Sequence, residues 1–173
     1  MTQEGPDERA ATPAEFQAMA HPLRLRILRM CLHDGLTNKE IADRLDLDPA
    51  SVLHHVRTLT RTGFLQAEPV RTGKRGALEK PYRATTKSWT LSFPRPDDLL
   101  AAVIASLDAA RDEVIAAGPE GLVTNTRLGL QLSDDEIEAL RLRLVAVVQE
   151  FADRPPTPDG TRVGLLTMLH RLA

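Results

Sequence analysis

The residues with the widest chemical reach lie in one short stretch, 49–63 (PASVLHHVRTLTRTG), and in a basic turn just after it. If 49–61 is a helix, Val52, Val56 and Leu59 form its inward stripe. Ala50, Ser51, Leu53, His54, Arg57 and Thr58 then point outward. Ser51, His54 and Arg57 carry donors and acceptors suited to base edges and phosphates, and Ala50 and Leu53 can meet thymine methyl groups. His55 falls one position past His54, turned partly inward, and reads as a half-buried structural histidine. In the basic turn, Arg71, Lys74 and Arg75 stand among glycines (RTGKRG) and suit phosphate or the minor groove. Thr37, Asn38 and Lys39 open the preceding helix, whose amide-rich N-terminus also suits a phosphate. The chemistry these groups imply is recognition of a polyanion, with no bond made or broken.

Such groups need a scaffold, and the flanking sequence predicts one. Thr37 with Glu40 forms a capping box for a helix over 38–45, with Ile41, Leu45 and Leu47 as its buried face. Asp46-Leu47-Asp48 is too short for a linker. Asp48 is the N-cap and Pro49 the first-turn residue of the second helix, and Gly63 ends it. Two short helices joined by a tight turn form a helix-turn-helix. Upstream, a short helix from Ala14 presents Phe16 and Met19. His21-Pro22 then starts another, with Leu23, Ile27, Met30 and Cys31 on one face and Gly35 closing it. After Gly63 the period shifts from 3.6 toward 2. Phe64–Val70 reads as a strand, with Pro69 fitting an edge, and Lys80–Thr86 reads as the returning strand. A helix-turn-helix followed by a hairpin with a basic tip is a winged helix.

The segments MAHPLRLRILRMCL, LTNKEIADRLDLDPASVLHHVRTLTRTGFL and the wing's KPYRAT together resemble the ArsR-type winged-helix transcriptional regulators. The resemblance covers about residues 14–90. Ala20-His21-Pro22-Leu23-Arg24 and Val52-Leu53-His54-His55-Val56, leading to Gly63-Phe64-Leu65, are its most discriminating parts. It implies a homodimer that binds double-stranded DNA as a repressor or activator.

Charge patterning agrees with that division of labour. The chain of 173 residues has a net charge of -2, yet the segment 21–87 is basic and the rest is acidic, as befits a polyanion-binding module beside a region that is not one. The expected fold class is α+β, mainly α. Residues 1–12 are expected to be disordered, 13–92 to form the winged helix-turn-helix, and 93–173 to form an α+β region for dimerisation and sensing. In that last region a helix over about 97–117 carries Leu99, Leu100, Val103, Ile104, Leu107 and Val114 as a stripe. TRLGLQL (126–132) alternates like a strand, Ser133 with Glu136 caps a helix to about Asp153, and 161–172 reads as a final strand or short helix.

Other classes fare worse. Many ArsR-type proteins bind thiophilic metals, but the single cysteine, Cys31, sits alone on an apolar helix face, and His33, His54, His55 and His170 lack ligand spacing. No metal and no cofactor is expected. No phosphate loop or nucleophile elbow appears, so the protein is not read as an enzyme. No apolar run reaches the roughly 18 residues of a membrane span, and the polar start is unlike a signal peptide, which predicts a cytoplasmic protein. Two alternatives stay open: a winged helix that docks a protein instead of DNA, and a DNA-binding regulator gated by a small apolar effector between the wing domain and 97–173.

Overall fold

A computed structural model describes residues 9–73 and 76–172. Among the described residues the chain clusters into two compact units that divide between Ala116 and Ala117, well beyond the boundary expected at 92/93.

The first unit is built on helices whose ends are written in the sequence. Thr12 caps α1 (Pro13–Met19) through a capping box with Glu15, and α2 (Pro22–Met30) begins at a proline. Thr37 and Glu40 form the expected capping box on α3 (Asn38–Leu45). The Asp48 side chain accepts from the amides of Ala50 and Ser51 to start α4 (Pro49–Arg61). Between α3 and α4 the chain turns on Asp46, which is left-handed at φ 53°. That turn swings Leu47 outward, so it is 42% exposed instead of completing the buried face of α3. Gly63, at φ 76°, releases the chain from α4 as a glycine can.

The core follows the apolar spacing. Ile27 and Cys31 of the second helical segment, Ile41 of α3, Val52, Val56 and Leu59 of α4, and Phe64 beyond it are all fully buried. Each large aliphatic or aromatic side chain removed from water in this way contributes roughly 1.5–3 kcal/mol before entropy is charged against it. Three inward residues on one helix therefore fix which face of α4 remains outside.

The hairpin departs from two continuous strands. β3 (Leu65–Ala67) pairs antiparallel with β6 (Pro81–Ala84), which also pairs with β2 (Leu36–Thr37), giving the order β2-β6-β3. The outer part of the wing is a separate antiparallel pair, β4 (Arg71–Thr72) with β5 (Leu78–Glu79). Pro69 lies in the gap. It has no amide to donate to the ladder, so the strand expected over 64–70 stops at Ala67 and pairing resumes at Arg71.

At the N-terminus the structure corrects the expected disorder. Arg9–Ala10 forms β1, parallel to β7 (Leu91–Ser92), and Thr12 is the cap of α1; residues 1–8 lie outside the described residues. Glu15, 5% exposed, gathers Arg9 (2.6 Å) and Lys87 (2.6 Å). Lys87 in turn donates to the Thr62 carbonyl at 2.5 Å, so this cluster ties the start of α1 to the end of α4.

Helix α5 (Pro96–Ala117) has two opposed apolar faces. Ala102, Ala105 and Ala109 are buried within the first unit. Arg26 and Arg29 of α2 reach Asp112 (3.4 Å) and Glu113 (3.0 Å) near its end. The larger stripe expected from the sequence lies on the other side, where Leu99, Leu100, Ile104 and Val114 are about half-exposed or more.

The second unit holds a 3-10 turn (Pro119–Gly121) and α6 (Asp134–Ala152), capped by Ser133 and Glu136 as expected. Neither 126–132 nor 161–172 is a strand or helix, and no strand follows Ser92 among the described residues. The C-terminal region is therefore helical, not α+β. Alternation alone makes no strand without a neighbouring edge to complete its ladder. No side chain of this unit is classed as buried among the described residues, and Phe151 of α6 is 60% exposed.

Candidate nucleic-acid interface

Burial of Val52, Val56 and Leu59 leaves a continuous outer face on α4. Ala50, Ser51, His54 and Arg57 are exposed, and Leu53 and Thr58 are half-buried at its margins. These are the six positions expected from the sequence, and all stand where a groove-entering helix needs them. Arg57 has no carboxylate partner, so its guanidinium is open to a ligand. Thr58 donates to the His54 carbonyl at 3.1 Å, which leaves its lone pairs to accept.

His55 behaves as a structural residue. Its ring is half-buried against His21, with centroids 4.8 Å apart. Burial, then the neighbouring cations, hold both imidazoles below the ordinary histidine value. His21 and His55 thus lock the start of α2 against α4 in their neutral forms. Among the described residues no three His, Cys, Asp or Glu side chains are grouped to hold a metal ion. Cys31 is fully buried, and burial pushes its thiol up to about 12, so it carries no thiolate at neutral pH.

The start of α3 is more occupied than its sequence suggests. Thr37 is buried, its hydroxyl accepts from the Glu40 amide at 3.2 Å, and its own amide donates to the Glu40 carboxylate at 2.7 Å. Asn38 donates to the Pro49 carbonyl at 2.8 Å, pinning the start of α3 to the start of α4. The capping box that makes this helix legible also fills its anion-binding end. Lys39 alone of the three projects outward, in an exposed pair with Asp43 at 2.7 Å that costs little to release.

Arg71 differs again. It lies on β4, not in the turn, and its guanidinium holds Glu79 at 3.0 Å and Glu40 at 2.8 Å. It braces the wing against α3, and the two carboxylates raise its affinity for the proton. Lys74 and Arg75, the other two wing cations singled out above, lie outside the described residues. The wing also presents Leu78, 81% exposed, and Val70, 56% exposed.

Sequence reasoning missed four residues at the other end of α4. Thr60 and Arg61 of α4, with Lys80 and Tyr82 of the wing, join Leu53 and Arg57 around an open cleft of about 470 Å³. The spacing of Leu53, Arg57, Thr60 and Arg61 (i, i+4, i+7, i+8) shows that they share a helix face. Nothing in the sequence states that β6 and the residue before it lie beside that face.

Residues 19–66 match a family model described as a helix-turn-helix domain, so this segment is a helix-turn-helix domain. The match lies within the 14–90 segment that carries the ArsR-type resemblance. No curated protein matches the chain. Among solved structures, reduced HlyU from Vibrio cholerae is 22% identical, covering 54% of this chain and 80% of its own, with a TM-score of 0.36. A ZitR mutant from Lactococcus lactis in apo form is 20% identical over 78% of this chain and 82% of its own, with a TM-score of 0.33. A MepR mutant from Staphylococcus aureus bound to an oligodeoxyribonucleotide is 19% identical over 78% of each chain, also at 0.33. At these scores the likenesses carry no argument about function.

Proposed function

We propose that the protein is a non-enzymatic, cytoplasmic transcriptional regulator of ArsR type that binds a palindromic DNA site as a homodimer and acts as a repressor. The observation that carries this reading is the outer face of α4, where Ala50, Ser51, His54 and Arg57 are exposed directly opposite a fully buried stripe. A helix held that firmly on one side and left polar on the other is suited to enter a major groove. Ala50, Ser51, Leu53, His54, Arg57 and Thr58 then read bases. Lys39 and the wing residues Lys74 and Arg75 contact phosphate or the minor groove, while Thr37, Asn38 and Arg71 hold the frame. The absence of an apolar helix long enough to cross a membrane, among the described residues, accords with a protein that meets DNA in the cytoplasm.

Dimerisation is part of the same proposal. The Leu99, Leu100, Ile104 and Val114 face of α5 is apolar, exposed and opposite the face the chain itself covers. A second copy packed there would set two α4 helices about 34–36 Å apart, one DNA turn.

Selection of bound duplexes from a random pool, repeated at several salt concentrations, tests the reading. The expected result is an enriched palindrome whose affinity falls steeply with salt. The exposed Leu78 and Val70 favour a second reading, a wing that docks a protein through apolar contacts. Recovery of no preferred duplex at moderate salt would discard DNA recognition in its favour.

A further inference from the structure

The cations of the first unit are mostly spent on carboxylates. Arg9 and Lys87 share Glu15, Arg71 holds Glu40 and Glu79, and Arg83 is held by Glu68. Among the described residues of this unit, Arg44, Arg57, Arg61 and Lys80 stand without a carboxylate partner, and all but Arg44 line one cleft. No Asp or Glu lines that cleft, and Lys80 instead sits 5.9 Å from the Tyr82 ring centroid.

A chain this rich in acids pairs cations readily. Three unpaired ones converging from two elements are repulsive unless an anion joins them. Their geometry also separates two tasks along α4. Ala50, Ser51 and His54 occupy the first turns, where side chains meet base edges. Arg57 and Arg61, one turn apart on the same exposed face, lie toward the far end with the wing alongside. The cleft is open rather than enclosed, and a continuous polyanion strand can lie along an open groove.

We propose that Arg57, Arg61 and Lys80, flanked by Thr60 and Tyr82, form a phosphodiester-binding cleft that fixes the register of α4 on the duplex backbone. This rests on the DNA-binding reading above and deepens it. Arg57 thereby becomes a positioning residue more than a base reader, and base discrimination narrows to the N-terminal end of the helix.

Binding of the full-length protein to its selected duplex and to a random duplex, measured across a salt series, tests the cleft. R61Q and K80Q should each weaken both duplexes alike and each reduce the slope of log affinity against log salt by about 0.9. The charge-preserving R61K and K80R should keep the parent slope. R143Q removes an exposed, unpaired cation of α6 and should leave the slope unchanged. An unchanged slope in R61Q and K80Q, with the parent still binding DNA, overturns the cleft and spares the DNA-binding reading. An equal drop in R143Q also overturns it, because bulk charge would then explain the loss. A parent that binds no duplex at any salt overturns both. ATP, added at matched ionic strength as a probe for a free phosphate ligand, should not compete. Displacement of DNA by ATP from the parent but not from R61Q would assign the cleft to a small phosphate instead.

Discussion

Single residues here are often committed by contacts that their type does not reveal. Thr37, Asn38 and Arg71 look like phosphate ligands in sequence, yet each has its polar atoms engaged inside the fold. Glu15 is the sharpest case. Arg9 first, then Lys87 and the Thr12 cap, hold its carboxyl far below the usual carboxylate range, against the opposing push of burial. A carboxyl depressed in the folded state stabilises the fold above its unfolded value of about 4.3. That contribution fades as pH falls through the folded value. E15Q should therefore lower the melting temperature at neutral pH and flatten its decline between about pH 5 and pH 2. Thermal melts across that range decide it, and an acid slope as steep as the parent's would refute the role given to Glu15.

At the scale of elements, α4 is defined by its two ends. Asp48 accepts from the Ala50 and Ser51 amides, and D48A should cost about 1 kcal/mol, the usual value of a lost N-cap. Gly63 is left-handed, and a Cβ there would stand 3.3 Å from the Lys87 ammonium. G63A should cost about 1–2 kcal/mol for the backbone conformation alone, with additional loss if Lys87 is displaced from the Thr62 carbonyl. Urea unfolding measures both, and a neutral G63A would show that the turn tolerates another conformation. The wing shows the opposite behaviour: Pro69 divides what reads as one strand, and each half finds its own partner.

For the whole molecule the decisive feature is apolar surface that the chain does not cover. In α5 the alanine face is buried, while Leu100 is 61% and Ile104 49% exposed. Exposed apolar area on that scale marks an interface. I104E, placed on that face, should convert a dimer to monomers in sedimentation or light-scattering measurements. It should also weaken duplex binding by far more than it lowers the monomer's melting temperature. A variant as dimeric as the parent would remove α5 from the interface.

The sequence by itself determined the helices of the first unit, because caps, prolines and 3.6-residue apolar spacing are local signals. Thr37 with Glu40, Asp48 before Pro49, and the Val52-Val56-Leu59 stripe all act within a turn or two, and they also settled which face of α4 is outside. Alternation at 126–132 gave a false strand, since a strand exists only with a neighbour that local pattern cannot supply. Tertiary structure alone decided which cations remain free. Arg71 lost that freedom to carboxylates 31 and 8 residues away. Arg61 and Lys80 kept theirs and came together with Arg57, because pairing of charges depends on distance in space and not along the chain.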